Sequence, residues 1–429
     1  MFSWSFFTGA MGLDIGLEMA GIKTQIAVEI DPTCCNTIRA NRPEVILFEE
    51  DISNINKNRL FGDAGISYNP LILVGGPPCQ SFSPAGNRAA LNDPRGVLIF
   101  EYFRLIKEIR PLYFVFENVG NLLTATLRHR PIDKRPGKRW NLKSYSNGNN
   151  LHDDGAAPLT QEEMSGSAFR YLLKEIDSLH YSVQFAIVNS ADYGAPQKRI
   201  RFIMIGCRDY PAPSLPPPTH GSVGSGLKRY QTLRDAIYDL KDNPGAHSVY
   251  TERISGFFKK IPPGGNWRNL NLDDQKDILG PSIDAGGGKT GFMRRLSWDE
   301  PCPTLTAKPN RKGTALCHPD QIRPLSVKEY ARIQGFPDNW QFDGAMNLKY
   351  SQIGNAVPVV LGQAVGQAIK KHYFEFKNHK PRFQSNSYSE IEIIYDRSLK
   401  YLYSFARNKK STIDEKQLRL VDNAATRIS

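Results

Sequence analysis

The feature that most constrains the fold is a rhythm in the first 120 residues, where short apolar runs alternate with stretches of helical pattern. Two further apolar runs follow a predicted helix at about 168–179. The seven runs are 3–7, 24–29, 45–48, 71–74, 113–116, 185–188 and 202–205. Strands that alternate with helices favour a parallel sheet covered by helices. The sequence therefore predicts an α/β fold with six or seven strands.

The length and the linker pattern predict two domains. A chain of 429 residues exceeds what one hydrophobic core usually supports. Five prolines fall within 211–218, and glycine and proline stay dense from there to about Arg323, so we place a second domain in that stretch. Predicted helices at 326–334 and 359–373 follow it. The net charge of +12 suits a polyanionic partner, although charge alone is a weak indication.

Several classes of protein are disfavoured by the composition. No run of about 18 apolar residues offers a membrane span, and the apolar start carries no basic leader. We therefore expect a cytoplasmic protein without a membrane partner. The six cysteines form no Cys-x-x-Cys pair, which argues against a disulfide framework and a zinc ribbon. We expect no metal, and any important cysteine to act as a thiol.

An unusual insertion interrupts the first domain at 124–163. It carries a basic run from Arg128 to Lys143 and then an Asn/Gly/Ser-rich stretch at 145–155. This composition predicts a mobile basic loop. Two interpretations stay open at this point, which are contact with phosphates and a solvated insertion without a role.

Polar groups follow the first three strands at the edge where a parallel sheet binds ligands. The turn from Phe7 to Gly12 precedes a helix, Glu29 ends the second strand, and Asp51 follows the third. Helix amides and a ribose-binding acid are typical of nucleotide-like ligands. Met11 stands where such turns often have glycine. Together the three strand ends favour an adenosine-type ligand.

The sharpest signal is the loop Gly75-Gly76-Pro77-Pro78-Cys79, directly after the fourth strand. A structural cysteine normally lies within an apolar run, whereas Cys79 ends a rigid loop at the ligand-binding edge. A nucleophilic thiol needs nearby cations, which Arg199 and Arg201 can supply. Glu117 ends the fifth strand, so it should face the same cleft as an acid that protonates a ring under attack.

These residues resemble the cytosine-5 DNA methyltransferases of bacterial restriction-modification systems. The resemblance rests on segments that occur in the family's order, namely 7–12, Glu29, Asp51, 75–79, 117–119, 197–201, 323–340 and 352–358. It implies a Rossmann-like methyltransferase fold with a mostly parallel sheet, helices on both faces, and a smaller irregular target-recognition domain. It also implies that S-adenosyl-L-methionine donates the methyl group and leaves as S-adenosyl-L-homocysteine.

The resemblance implies roles for the chemistry-bearing residues. Cys79 attacks C6 of a flipped cytosine, Glu117 hydrogen-bonds the N3 side of the ring, and Arg199 and Arg201 hold the base and the cysteine region. Ring attack inside a stacked duplex is impossible, so the base must leave the helix. Residues implied to contact DNA or the base are Gln80, Ser83, Arg95, Asn118, Val119 and Gln197.

The family's cofactor site carries over to eleven positions. They are Phe7, Gly9, Ala10, Gly12, Glu29, Ile30, Asp51, Ile52, Pro78, Leu98 and Asn355. Ser5 stands where an aspartate is frequent, and this departure, like Met11, concerns the detailed shape of the first turn.

The position of Asn355 implies that the chain returns to its first domain. We predict a catalytic and cofactor-binding domain at 1–210 plus 348–380, a target-recognition domain at 211–347, and a tail of unknown role at 381–429. Expected partners are double-stranded DNA and, genetically, a cognate restriction endonuclease, and we expect a monomer that protects host DNA.

Alternatives remain at this stage. An RNA cytosine-5 methyltransferase shares the fold, but none of the cysteines is followed by the Phe-Thr typical of the transfer-RNA branch. A catalytically silent DNA-binding regulator would lack the cysteine or the glutamate, and both are present. A dinucleotide oxidoreductase would leave the Gly-Pro-Pro-Cys loop unexplained.

Overall fold

The structure is a computed structural model that describes residues 1–78, 94–128, 130, 159–280 and 291–407. Seven strands form one sheet in the order β3-β2-β1-β4-β5-β7-β6, in which β7 runs antiparallel to both its neighbours and all other pairs are parallel. The strands are β1 (Phe2–Phe6), β2 (Lys23–Glu29), β3 (Ile46–Glu49), β4 (Ile72–Gly75), β5 (Tyr113–Val119), β6 (Ser182–Asn189) and β7 (Ile200–Cys207). Every predicted apolar run falls in a strand, which confirms the mostly parallel α/β fold.

Helices cover both faces of the sheet. Those before residue 200 are α1 (Gly12–Met19), α2 (Pro32–Asn41), α3 (Lys57–Ala64), α4 (Pro94–Ile109) and α5 (Ser167–Asp177). Those after it are α6 (Leu233–Ile237), α7 (Glu252–Lys260), α8 (Leu272–Leu279), α9 (Val327–Gln334), α10 (Met346–Asn355), α11 (Val359–Phe376) and α12 (Tyr388–Arg407). Ser326 and Glu329 form a reciprocal cap at the start of α9, and left-handed Gly335 ends it, which confirms the helix predicted at 326–334.

Helix α11 brings the late part of the chain back to the first strand. It packs on α1 at near backbone contact, since a Cβ on Gly16 would lie 2.2 Å from the carbonyl oxygen of Val359. The apolar residues of both helices share one core with strand residues such as Val74 and Val115. The opposite face of the sheet is covered by α4, α5 and α12 through a core that includes Phe116 and Phe169.

The stretch after the proline-rich linker contributes to two cores. Residues 250–317 contain a separate one, built on the aromatic side chains of Phe257, Phe258 and Trp267. In contrast, α9 and α10 pack with residues of α1 and α2 in a core that also contains Trp298 and Trp340. Trp298 is a packing residue, because its ring is buried and its Nε1 donates to Asp320 at 3.0 Å.

The stretch after residue 380, expected only to be an uneven tail, contains the 20-residue helix α12. Tyr395 is buried, stacks on Phe169 at 5.5 Å and donates its hydroxyl to the carbonyl of Leu123 at 2.8 Å. One turn and a half later, the Tyr401 hydroxyl bonds the buried carboxylate of Asp192. The helix is therefore part of the folded catalytic core. Within the described ranges, no helix is long and apolar enough to span a membrane.

Candidate active site

One cavity of about 550 Å³ opens at the carboxyl ends of β1, β2, β4 and β5. All eleven residues predicted for the cofactor line it, and so do Glu117, Arg199 and Arg201. Its volume lies in the usual range for small-molecule and cofactor sites. Residues from three distant parts of the chain, before 120, near 200 and near 355, therefore meet around one space.

The turn after β1 has a left-handed backbone at three positions. The φ values are 55° at Phe7, 56° at Gly9 and 68° at Met11. Met11 is completely buried, so a side chain that packs in the core replaces the glycine expected there. A left-handed non-glycine residue costs roughly 1–2 kcal/mol. In contrast to position 11, position 12 has no room for a side chain, because a Cβ on Gly12 would lie 2.4 Å from the carbonyl oxygen of Val357.

Glu29 joins the first turn to the second strand. Its carboxylate accepts the backbone N–H of Gly9 at 2.7 Å and those of Ile30 and Asp31 at 2.9 Å each. Burial raises the pKa of this carboxyl, and the three amides offset part of the rise. Glu29 thus shapes the turn as well as lining the cavity.

Asp51, Ile30 and Asn355 are three more of the residues predicted to hold the cofactor, and all three line the cavity. Asp51 accepts the N–H and the hydroxyl of Ser53 through one oxygen, Oδ1, and these bonds lower its pKa. Ile30 is 59% exposed at the mouth, an apolar surface suited to an aromatic base. Asn355, at the end of α10, lines the opposite wall.

The catalytic acid predicted from sequence lies in this cavity. Glu117 is buried, and the Nε of Arg201 lies 2.8 Å from its Oε1. Burial raises the pKa of Glu117, and Arg201 and Arg199 counteract the rise. A Cβ on Gly76 would lie 3.0 Å from Oε2, so a larger residue in the loop that leads to Cys79 would require the Glu117 carboxylate to shift. Two residues before Cys79, the Pro77 carbonyl accepts the Nδ2 of Asn118 at 3.1 Å.

Three residues predicted to touch the base or the DNA also form hydrogen bonds inside the protein. Asn118 is buried, holds Pro77 and accepts the N–H of Val119. Gln197 has no exposed surface, and both ends of its amide are bonded to protein groups. Arg199 is 2% exposed and donates to the carbonyls of Leu305 and Gly354, while its buried Nε has no partner among the described residues. Burial lowers the pKa of its guanidinium. Gln197 is therefore enclosed by protein, whereas Asn118 lines the cavity while it holds the loop before Cys79.

Part of the predicted site lies outside the described residues, namely Cys79, Gln80 and Ser83. Arg95 belongs to α4, but its side chain is outside the description as well. Val119 is half-buried and lines the cavity. All five cysteines of the described ranges are buried, and burial raises their pKa values, to about 12 for Cys35 and about 11 for Cys207. None of these five is an activated nucleophile.

Sequence reasoning missed three acids that line the cavity, namely Asp14, Asp31 and Glu50, of which only Asp14 is buried. Asp14, in the first turn of α1, accepts the hydroxyl of Thr24 at 2.9 Å and is bonded to Ser5. Burial raises its pKa to about 6. The sequence does contain a signal for Asp14, because this acid lies two residues after Gly12 among the apolar residues that begin α1. In the described part of the chain, no cluster of His, Cys, Asp and Glu side chains is suited to a metal ion.

Comparisons with known proteins agree with this geometry. The model of the C-5 cytosine-specific DNA methylase family matches residues 1–131 and 159–371. The match omits 132–158, within the basic insertion, and ends before α12. Type II methyltransferase M.Sau96I of Staphylococcus aureus is 38% identical over 370 residues, which are 86% of this chain and 76% of that protein. M.Eco47II of Escherichia coli is also 38% identical, over 85% of this chain and 77% of its own.

A solved structure supports the fold. It is a prophage-encoded E. coli protein, provisionally described as a DNA modification methyltransferase, with a TM-score of 0.54, 22% identity, and coverage of 86% of this chain and 99% of its own. The family match spans most of the chain and contains every strand of the sheet. The chain belongs to the C-5 cytosine-specific DNA methylases and is a DNA cytosine-5 methyltransferase of the restriction-modification type.

Proposed function

We propose that Cys79 and Glu117 carry out methyl transfer to C5 of a flipped cytosine, in the cavity that also holds S-adenosyl-L-methionine. The observation that carries this proposal is the shared cavity, which brings Glu117 and the loop before Cys79 together with the cofactor residues. Elimination supports the choice of thiol, because the other five cysteines are buried with raised pKa values.

The lining fits the cofactor at both ends. Glu29 keeps acceptor capacity beyond its three amide bonds, as a ribose diol requires, and Ile30 offers an apolar face to adenine. The N-terminal turn of α1 favours a carboxylate, and the buried acid Asp14 favours an ammonium group. The bound cofactor supplies an electrophilic methyl group. The residues proposed to hold it all belong to this chain, and we propose that the enzyme acts as a monomer without a metal.

The chain's own groups then account for the reaction on the cytosine ring. The Cys79 thiolate adds to C6 while Glu117, hydrogen-bonded at N3, stabilises or donates the proton that the ring gains there. This addition breaks aromaticity and makes C5 nucleophilic, so C5 can take the methyl group. Solvent takes the C5 proton, Glu117 recovers the proton given to N3, and departure of the Cys79 thiolate restores the ring. Arg201 holds Glu117 in place and keeps its charge balanced.

We assign target recognition to the region after the proline-rich linker. Residues 250–317 have their own core, whereas α9 and α10 share a core with α1 and α2. The recognition domain is therefore proposed to be narrower than 211–347, and the catalytic domain to include α9 to α11. A cognate restriction endonuclease is the proposed genetic partner, and the DNA substrate places the enzyme in the cytoplasm.

Covalent trapping tests the assignment of Cys79. A duplex with 5-fluorocytosine at the target should trap the wild-type protein, because fluorine blocks the last elimination. The Cys79→Ser protein should bind the duplex without methylating or trapping it, since an alcohol is far less ionised than a thiol. Bisulfite sequencing of DNA from expressing cells first identifies the target word. The Cys207→Ser protein, altered at the end of β7 outside the cavity lining, is the matched control and should trap normally. Equal trapping by Cys79→Ser would refute the assignment.

A further inference from the structure

A short segment after the proline-rich linker, residues 302–307, lies between residues 197–199, just before β7, and residues 353–356 at the end of α10. We call residues 353–356 the cofactor turn, because they include Asn355. Cys302 and Pro303 pair with Gln197 and Lys198 as a two-residue parallel ladder, and the Thr304 hydroxyl donates to the carbonyl of Lys198 at 2.8 Å. On the other side, a Cβ on Gly354 would lie 2.6 Å from the carbonyl carbon of Thr306. The segment 302–307 therefore has little room to shift on either side.

At its centre, Leu305 is held by two buried side chains. Its N–H donates to the Oε1 of Gln197 at 2.9 Å, and its carbonyl accepts the Nη1 of Arg199 at 2.8 Å. The two side chains thus bond the backbone of Leu305 as a neighbouring strand would. Burial makes these bonds costly to lose, because each leaves an unpaired polar group inside the protein.

The same two side chains also reach the cofactor turn. The Nη2 of Arg199 donates to the carbonyl of Gly354 at 2.7 Å, next to Asn355. Gln197 donates to Gln334 at 2.8 Å, and Gln334 in turn donates to the carbonyls of Ile353 and Ala356. Two residues beyond Arg199, in β7, Arg201 pairs with Glu117.

We propose that Gln197 and Arg199 are positioning residues that hold the segment 302–307 in one register, and so align the recognition region with the catalytic pair and the cofactor turn. The inference rests on the proposed function. The planar guanidinium bonds two carbonyls at a fixed spacing, which a single ammonium group cannot reproduce. If Arg199 acted only through its charge near Glu117, lysine would replace it.

The Arg199→Lys protein separates these two roles. We expect its single-turnover methylation rate at saturating duplex and cofactor to fall at least about 10-fold. The ratio of the methylation rate on the target word to the rate on single-base variants of it should also fall at least about 5-fold. Its affinity for S-adenosyl-L-homocysteine, measured by calorimetry, should stay within about 3-fold, because Gln334 still holds Ile353 and Ala356.

Arg208→Lys is the matched control. Arg208 lies just beyond the other end of the same strand and donates to the carbonyl of Arg110 and to Asp209. This variant should lower the melting temperature without changing rate or discrimination. Wild-type rate and discrimination in Arg199→Lys would overturn the proposal, as would a rate loss that excess cofactor restores.

A second variant guards against loss of folding. Gln197→Met keeps an unbranched side chain of similar length but leaves the Leu305 N–H unpaired, and it should reproduce the loss of rate and discrimination. Since Gln197 has no exposed surface, such a loss cannot come from a missing DNA contact. Unchanged discrimination in this variant would also overturn the proposal. Failure of the proposed function is a separate result, in which the wild-type protein methylates no cytosine.

Discussion

Two buried arginine–glutamate pairs in this molecule look alike but differ in what surrounds them. In the cavity, Glu117 receives Arg201 at 2.8 Å, and at the base of the basic insertion, Glu163 receives Arg130 at 2.8 and 3.0 Å. Both glutamate side chains are 11% exposed. Burial raises the pKa of Glu117, whereas hydrogen bonds from Arg130 lower that of Glu163 to about 2.

Burial and the number of donors together explain the difference, because desolvation is the largest influence on the pKa of Glu117 and the Arg130 hydrogen bonds are the largest influence on that of Glu163. Glu163 accepts two bonds from Arg130 and also the N–H of Thr160 in a reciprocal cap. For Glu117, Arg201 is the one hydrogen-bond donor in the described part of the chain. A carboxylate whose acceptor sites are filled stabilises the fold, whereas one that retains them in a desolvated cavity is poised to exchange a proton. The ion pair alone therefore does not reveal its role.

Replacing each glutamate by glutamine should give the largest contrast. Glu117→Gln cannot transfer a proton, so its single-turnover methylation rate should fall by roughly 10² to 10⁴. Glu163→Gln should methylate at the wild-type rate for each folded molecule. A Glu117→Gln protein within about 3-fold of the wild-type rate would remove this carboxylate from the chemistry.

The sequence was sufficient for the cofactor side of the cavity. A strand rhythm places Glu29 and Asp51 at the carboxyl edge of a parallel sheet, and local pattern alone carries that inference. It did not reveal that Gln197 and Asn118, which were predicted to contact DNA or the base, also bond distant parts of the protein. Their partners are Gln334, 137 positions away, and Pro77, 41 positions away. Motif membership identifies such residues as important without showing what they bond.

Two further misjudgements have the same origin. Arg130 was counted with the mobile basic run, but it is 7% exposed and paired with Glu163, 33 positions away. Helix α12 was missed although Ile391, Ile394, Tyr395 and Leu402 follow a helical period. The polar residues between them made the stretch resemble a charged tail. Only the apolar surface of α5 and β6, which α12 covers, reveals its role.

Stability at different pH values gives the second test of the comparison. The folded-state pKa of Glu163 lies below the ordinary value of 4.5, so its pair stabilises the fold above about pH 4.5, and this contribution is lost as pH falls toward 2. Glu163→Gln should lower the free energy of unfolding by about 1–3 kcal/mol at neutral pH. Urea titrations should show that this difference in the free energy of unfolding between the wild-type and Glu163→Gln proteins shrinks below about pH 4.5.

For Glu117 the sign is opposite. Its raised pKa means that the fold disfavours the ionised form, so Glu117→Gln should unfold at the same or a higher urea concentration at pH 7. This difference should also shrink on acidification, as the wild-type carboxyl takes up its proton. A destabilised Glu117→Gln and an unaffected Glu163→Gln would reverse the roles assigned to the two pairs.

The smallest expected effect comes from the insertion that the Arg130–Glu163 pair closes. Residues 131–158 hold five basic and three acidic side chains, and the family match omits almost all of them. Replacing this stretch with a short Gly-Ser linker keeps the pair and should therefore keep the melting temperature.

If the basic residues contact phosphates, the slope of log affinity for DNA against log salt should become shallower by about one to four, because each phosphate contact contributes about 0.9. The methylated word should not change, since phosphate contacts position a protein without specifying sequence. An unchanged slope would favour a solvated insertion, and an altered word would mean that this stretch takes part in recognition.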